Sequence, residues 1–382
     1  MSTDFHPIQC IVPPHMLREI VERGSPAQRD WAIRTLRISE QFRGQRQALT
    51  GLPVAAAPTV IGAKHRIIYN AEFGSTLPGK QVRAEGEPPT GDPAVDEAYD
   101  GSGVTYDLYQ DVYGRNSIDG NGLRLDSTVH YQKGYDNAFW NGQQMVYGDG
   151  DEDLPPADRL FNRFTIAIDI IGHELTHGVT QYEAKLIYWD QPGALNESMS
   201  DVFGSLVKQI KLGQSANEAD WIIGQGLFTA RVNGQGIRSM KAPGTAYDDP
   251  VLGKDPQPAH MKDYKNVSYD NGGVHINLGI PNHAFYTTAM ELGGRAWEKA
   301  GRIWYVTLRD KLQDRSDFQA AANFTHQTAG ELFGAGSLEQ QAVRNGWAAV
   351  GITVDGAPPP TQPPKGCVPT ALGLTRPPER VK

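Results

Sequence analysis

The chain has 382 residues, 39% of them hydrophobic, with a formal net charge of −8 and a pI near 5.7. An acidic balance without a basic tract argues against a nucleic-acid partner, and no apolar run approaches the roughly 18 residues that a membrane-spanning helix needs. The length suits two lobes with extensions, and two cysteines supply no disulfide framework.

The start, Met1-Ser2-Thr3-Asp4-Phe5, lacks the positive n-region and apolar h-region of a secretory signal. This reading keeps the protein in the cytoplasm, or exports it by a non-standard route. Next comes Cys10-Ile11-Val12-Pro13-Pro14-His15-Met16-Leu17, then a helix start at Ser25-Pro26 and a loosely helical run through Trp31, Ile33, Leu36, Ile38 and Phe42. The first 50 residues carry seven Arg and no Lys against five acids, a formal +2. A basic segment on an acidic body favours docking, weakly once screened by salt. Residues 50–58 are small and apolar with prolines and read as a linker.

From about 60 to 160, Tyr, Val and Thr alternation broken by Gly, Asp and Pro predicts β-strands and long loops. Residues 161–182 read as a central helix, into which the apolar run 164–171 leads as a buried segment. Asp169 is then a polar residue in an apolar run. From about 195 to 350 helical patterns dominate, for example 283–291, 302–311 and 317–332. Residues 355–382, with a Pro-Pro-Pro run and two Pro-Pro pairs, read as a disordered or polyproline tail. There is no internal repeat.

The stretch that carries most chemistry is His173-Glu174-Leu175-Thr176-His177, followed by Asn196-Glu197-Ser198-Met199-Ser200-Asp201. Residues four apart lie on one helix face, so His173 and His177 can bind one ion. Glu174 sits about 100° around the helix, close enough to hold the attacking water rather than the metal. A catalytic zinc takes three protein ligands and keeps one position open; Glu197 can be the third ligand. Asp201 lies one turn beyond Glu197, placed to accept the free ring N–H of a ligand histidine. Metzincins need Gly and His three and six residues after the second histidine, and Thr180 and Glu183 stand there.

These blocks resemble the thermolysin family of metallopeptidases, together with Leu186-Ile187-Tyr188, Asn137 to Gly142, Met145 to Asp151, Arg238-Ser239-Met240 and Asp270 to Asn277. They keep the family's order from about residue 60 to 352. The resemblance implies an α+β, two-lobed fold: a β-rich N-terminal lobe and an α-helical C-terminal lobe joined by the zinc-binding helix, with one catalytic Zn2+. It implies that Tyr188 and His275 donate to the tetrahedral oxyanion, and that Asp270 orients that histidine. Arg238 would hold the substrate carbonyl, Asn137 and the Ala138 backbone would bind the peptide main chain, and Asn196 would support the second ligand histidine. The residues matching the pocket beyond the cleaved bond are Phe161, Phe164, Ile170, Ile223, Leu227 and Ile237. All are apolar, which implies a large hydrophobic side chain on the amine side of the cleaved bond.

Two departures stand out. Asp169 and Asp220 match carboxylates of the family's double calcium site, but Lys208 stands at its central glutamate and Gln225 at another. Gln235 likewise replaces an acid in a further calcium loop. An ammonium cannot bind calcium but can neutralise Asp169 and Asp220, so no calcium is expected at the double site. The N-terminal segment resembles that of protealysin-like members, which carry a short propeptide with a Pro-Pro-x-Leu-type motif; here the matching residues are Pro13, Pro14 and Leu17, with one residue more before the Leu. The implied organisation is 1–50 inhibitory propeptide with its prolyl stretch in the cleft, 51–182 β-rich catalytic lobe with the active-site helix, 183–352 helical catalytic lobe, and 353–382 Pro-rich tail. The expected partners are peptide or protein substrates and the chain's own propeptide, with no nucleic acid, no membrane and a monomeric state.

Three rival readings are weaker. A zinc-binding module without peptidase activity would not need Glu174, Tyr188 and His275 together. A zinc hydrolase of small amides would not need an edge strand for an extended peptide. A structural zinc would want four closed ligands, usually with cysteine. Cys10 offers a thiolate that could plug the zinc, but a lone cysteine is usually inert.

Overall fold

The computed structural model describes residues 9–49 and 62–356. The linker expected at 50–58, and the tail from 357 onward with Cys367, lie outside the described residues. A short strand, β1 (Gln9–Cys10), is followed by two helices, α1 (Pro14–Arg23) and α2 (Pro26–Leu49). Pro14 opens α1, where its missing N–H costs nothing, and Pro13 before it is extended. Both prolines of the stretch expected in the cleft are buried. The Pro-Pro pair is a helix start, and Gln9 to Val12 just before it are the residues that run along the cleft. Pro14, Met16, Leu17 and Ile20 form the buried face of α1, and Trp31, Ala32, Thr35, Ile38 and Ser39 are buried on α2.

Next come β2 (Arg66–Asn70), β3 (Lys80–Ala84), α3 (Pro93–Asp107), β4 (Leu125–Val129), β5 (Ala138–Trp140) and β6 (Met145–Tyr147). One six-stranded sheet results, in the order β1-β5-β6-β4-β2-β3. β2–β4 and β4–β6 are parallel and the other pairs antiparallel. The N-terminal segment therefore adds a strand to the sheet edge, with Gln9 opposite Trp140 and Cys10 opposite Phe139. Helix α3 interrupts a region expected to hold only strands and loops. Its start was legible, since Asp92 caps it by accepting from the Ala94 N–H and Pro93 occupies the first turn. Its body, with Gly101, Gly103, Val104 and Thr105, reads poorly as helix. Packing decides instead: Gly101 faces Ile171 with no room for a side chain.

The two helices that build the site are α4 (Ile168–Tyr182) and α5 (Asp190–Leu212). The run 164–171 is not one helix. A 3-10 turn over Phe164–Ile166 ends at extended Ala167, and α4 begins after it. Arg163 and Thr165 both donate to the Glu97 carboxylate on α3 at 2.8 Å, tying the turn off the helix axis. α4 and α5 cross where Gly172 meets Gly204; a Cβ on Gly204 would lie 2.4 Å from the Asp169 carbonyl oxygen. Only glycine lets the two backbones approach this closely, and that approach sets Glu197 beside the α4 histidines.

Past α5 lie two short hairpins, β7 (Ile222–Ile223) with β8 (Arg238–Ser239) and β9 (Asp248–Asp249) with β10 (Gly253–Lys254). Helices α6 (Asp270–Asn277), α7 (Gly279–Leu292), α8 (Ala300–Asp310), α9 (Phe318–Phe333) and α10 (Leu338–Ala349) complete a helical C-terminal lobe. The fold is α+β and two-lobed, with α4 between the lobes. Asp169 in the apolar run has its reason here: the Lys208 ammonium lies 3.0 Å from it and 2.8 Å from Asp220.

Candidate active site

His173 and His177 stand one turn apart on α4, and Glu197 reaches them from α5. All three are fully buried. Their ligand-type atoms converge: the two Nε2 atoms are 3.0 Å apart, and each lies 3.4 Å from a Glu197 oxygen. The outer ring nitrogens are already used. His173 Nδ1 is 2.8 Å from Asp201 Oδ1, and His177 Nδ1 is 2.9 Å from Asn196 Oδ1. The Asn196 amide is oriented by its Nδ2 donating to the Leu186 carbonyl at 3.2 Å, so its oxygen faces the ring. With both Nδ1 atoms turned to outer partners, the two Nε2 atoms face each other beside a carboxylate. That arrangement calls for a cation between them, and a His-His-Glu donor set suits zinc.

The electrostatics agree. Burial pushes His177 down to about 3. Burial acts on His173 in the same direction, but the Asp201 and Glu197 carboxylates outweigh it and hold the ring up at about 9. Glu197 stays well below the usual carboxylate range despite its burial, because His275, His177 and His173 surround it. Touching imidazoles cannot both carry charge, so the triad holds one cation's worth of positive potential around an anionic carboxylate.

Glu174 points into the same space. Its Oε2 accepts from the Trp140 N–H at 3.0 Å, and its Oε1 has no hydrogen-bond partner among the described residues. Complete burial pushes this carboxyl well above its ordinary range, with Glu197 adding to the push. A carboxylate held this way takes up a proton readily, which a general base requires.

On the far side, α6 begins with Asp270, Asn271, Gly272 and Gly273 all in the left-handed region, at φ of 54°, 50°, 82° and 81°. This curl is a tight turn rather than helix, and it bends the Asp270 carboxylate back over His275. Asp270 accepts from the His275 backbone N–H at 2.9 Å and lies 2.6 Å from Nδ1. Burial lowers His275, but Asp270 and Glu197 outweigh it and raise the ring above its usual value. A protonated ring donates from Nε2. That atom lies 3.1 Å from the Tyr188 hydroxyl and 3.1 Å from the carbonyl oxygen of Cys10, and Tyr188 also donates to Glu197.

Arg238, on β8, is buried and bidentate to Asp201, with Nε and Nη2 each at 2.7 Å. Its Nη1 donates to the Ile11 carbonyl at 3.2 Å. Asn137 Oδ1 accepts from Val12 N–H at 2.9 Å, and the Ala138 carbonyl from Ile11 N–H at 3.3 Å. Phe161, Phe164, Ile170, Ile223, Leu227 and Ile237 are all buried and share one core with Ile11. Gly224 abuts Ile237 and Ile170, and Asn162 N–H donates to the Leu227 carbonyl, which draws that apolar wall together. Gln225 and Gln235 are exposed. The Cys10 side chain does not plug the triad. It packs among Ile38, Tyr131, Tyr135, Phe139 and Val146, and its thiol approaches Ser39 at 3.9 Å.

Three contributors went unread in the sequence. The Trp140 main-chain N–H has no sequence signal at all. Asn282 donates to Asp201 at 2.8 Å and accepts from Ser198; a buried amide in the apolar run Ile280-Pro281-Asn282-His283-Ala284-Phe285 was a readable clue. His15, the extra residue in the Pro-Pro motif, lies 3.4 Å from the Tyr247 hydroxyl.

A buried two-histidine, one-carboxylate metal centre with a carboxylate base at its rim, at the junction of a β-rich and a helical lobe, defines a zinc metalloendopeptidase. Comparison with known proteins agrees. The family models described as thermolysin metallopeptidase, catalytic domain, and thermolysin metallopeptidase, alpha-helical domain, match residues 67–181 and 184–352. An extracellular metalloprotease of Pectobacterium carotovorum subsp. carotovorum is 51% identical over 349 residues, 91% of this chain and 97% of that protein. An extracellular minor metalloprotease of Serratia marcescens is 41% identical over 350 residues, 89% of this chain and 94% of that protein. The solved precursor of protealysin, a metalloproteinase from Serratia proteamaculans, superposes with a TM-score of 0.81 at 55% identity, covering 90% of this chain and all of that one. The chain belongs to the thermolysin family of metallopeptidases. The expectation of a cytoplasmic protein is corrected by these relatives, two of which are named extracellular, which points to secretion.

With Tyr188 touching both His275 and Glu197, Tyr188→Phe is expected to lower kcat about 100- to 1000-fold, the typical loss for one oxyanion donor. KM and zinc content stay near wild type. Steady-state kinetics with parallel metal analysis checks this, and an unchanged kcat excludes the role.

Proposed function

We propose that this chain is the self-inhibited precursor of an exported zinc endopeptidase that cleaves on the amino side of large apolar residues. The observation that carries the proposal is the seating of Gln9 to Val12 along β5, with the Cys10 carbonyl at His275, the Ile11 carbonyl at Arg238, and Ile11 fully buried. The segment occupies the space a peptide substrate would need. On this reading residues 1–50 are the inhibitory propeptide, 51–182 and 183–352 the catalytic lobes, and 353–382 a tail.

His173, His177 and Glu197 would hold a zinc ion, which would lower the pKa of a water toward neutrality and polarise the carbonyl to be attacked. Glu174 takes the proton of that water and passes it to the leaving amine. His275 and Tyr188 donate to the oxygen that becomes negative. Asp270 holds His275 in its ring orientation and favours its protonated form. Arg238 grips the next carbonyl, and Asn137 and Ala138 fix the main chain. A buried apolar wall beyond the bond favours a large hydrophobic side chain by burial alone, on the order of 2 kcal/mol for a Leu or Phe. The protein trimmed of its first 50 residues is therefore expected to prefer Leu, Ile or Phe after the cut by tenfold or more in a peptide-library profile. A preference for acidic or basic residues there refutes it.

The double calcium site is proposed to hold no calcium, because the Lys208 ammonium stands between Asp169 and Asp220 and also donates to the Ile222 carbonyl. A calcium-selective chelator is expected to leave Tm unchanged, while Lys208→Glu gives a protein whose Tm rises with added calcium. A wild-type Tm that collapses in the chelator overturns this.

A further inference from the structure

We infer that the precursor's own Cys10–Ile11 peptide bond is held as a substrate bond and is cut by its own active site, before the linker near residue 50. This inference rests on the reading above, that Glu174 and the triad form a working peptidase.

Direction and register carry it. An inhibitory segment can avoid its enzyme by running backwards across the site or by placing no carbonyl at the reacting position. This segment does neither. From Cys10 to Val12 its main-chain groups meet, in turn, the donors and acceptors that line the cleft. Cys10 O faces His275 Nε2 at 3.1 Å, and Ile11 N–H donates to the Ala138 carbonyl at 3.3 Å. Ile11 O accepts from Arg238 at 3.2 Å. Val12 N–H donates to Asn137 Oδ1 at 2.9 Å, and Val12 O accepts from Asn137 Nδ2 at 3.4 Å. Only the Cys10 carbonyl lies against the oxyanion donor. The same His275 Nε2 lies 3.1 Å from Tyr188, which donates to the triad carboxylate Glu197. On the sheet side, Trp140 opposes Gln9 and its N–H holds Glu174, so the base is anchored beside this strand. The residue on the amine side is Ile11, apolar and fully buried.

The chemistry balances without an outside reagent. Water adds across the Cys10–Ile11 amide and the C–N bond breaks. Cys10 keeps a new carboxyl group and Ile11 becomes a free amine, with Glu174 moving the proton from the water to the Ile11 nitrogen. The two products are held unequally. Ile11 onward continues into α1 and α2, whose buried faces pack on the catalytic lobes, for instance through Gln28 donating to the Asp158 carbonyl at 2.9 Å and Asp136 N–H donating to Thr35 at 3.0 Å. Gln9 and Cys10, by contrast, are held by a two-residue strand and by the one buried Cys10 side chain. The cut therefore frees residues 1–10, strips β1 from the sheet edge, and leaves the helical part of the propeptide in place until a later cut in the linker.

The test uses the full-length precursor, purified with a chelator and then given zinc, with intact mass and terminal peptide mapping followed over time. The expected result is a fragment ending at Cys10 and a chain beginning at Ile11, both appearing before any cut between 50 and 58. The rate should be unchanged over a tenfold dilution, and Glu174→Gln should stay whole. A second readout needs no turnover. With only two cysteines in the chain, carbonyl-13C cysteine labelling of the Glu174→Gln precursor yields two resonances; zinc is expected to move that of Cys10 and leave that of Cys367. If the bond stays intact while the same zinc-loaded preparation cuts its linker or an added peptide, the inference fails and the proposed function stands. If the trimmed enzyme cuts no peptide at all, both fail. A rate proportional to concentration, or a Cys10 resonance indifferent to zinc, also overturns the inference.

Discussion

Replacing Glu174 with Gln is expected to leave one zinc per chain and to lower kcat/KM for a peptide by about three orders of magnitude, within the range that a positioned acid-base group supplies. Gln is nearly isosteric and keeps the hydrogen bond from the Trp140 N–H, since its carbonyl oxygen accepts as the carboxylate oxygen does. What it cannot do is take a proton. The zinc ligands are separate residues, so metal content should not follow activity. Burial already raises the Glu174 carboxyl well above its ordinary range, so removing its charge costs the fold little. Metal analysis, Tm and peptide hydrolysis on one preparation check all three statements. A zinc-loaded Glu174→Gln enzyme that still hydrolyses peptides would remove Glu174 from the mechanism.

The second large effect concerns Asp201. This buried carboxylate accepts from Arg238 twice at 2.7 Å, from Asn282 at 2.8 Å, and pairs with His173 Nδ1 at 2.8 Å. Asp201→Asn keeps the shape but replaces one acceptor oxygen with a donor that must face another donor, and it leaves the Arg238 guanidinium buried without its counter-charge. Breaking a buried pair from one side costs about 3–5 kcal/mol, so Tm should fall by on the order of 10 °C. Losing the carboxylate behind a ligand histidine should also weaken zinc binding about 10- to 100-fold. The pH dependence has a definite sign. Arg238 and His173 overcome burial and hold the Asp201 carboxyl at about 2, below its ordinary 3.8. Its stabilisation is thus complete above the ordinary value and fades as pH falls through 2. The variant should lose that part of acid unfolding. Thermal melts between pH 2 and 7, with a zinc titration, decide it; a variant within a degree of wild type excludes a central role for the pair.

Much of the zinc centre was legible because it is local. Helical spacing alone puts His173 and His177 on one face, and the helix carrying Glu197 begins soon after. The resemblance to the thermolysin family supplied roles for Tyr188, Arg238 and His275 that spacing could not. Other features were out of reach. The run 164–171 read as continuous helix because its apolar pattern is continuous; Glu97, more than sixty residues earlier, ties off the turn. The Pro-Pro pair read as an inhibitory stretch, and the structure adds that Pro14 opens α1. α3 was missed because its glycines answer to a neighbouring helix rather than to helix propensity.

The sequence by itself pointed to a zinc-type ligand set, His173, His177 and Glu197, and to Glu174 beside it as the proposed base, because those depend on donor chemistry and on a helical repeat of a few residues. The tertiary structure alone decided which peptide bond of the chain lies against His275, how Asp201 binds His173 to Arg238, and how closely α4 and α5 approach. Those are long-range matters, set by sheet register and by the close contact at Gly172 and Gly204, and no spacing along the chain encodes them.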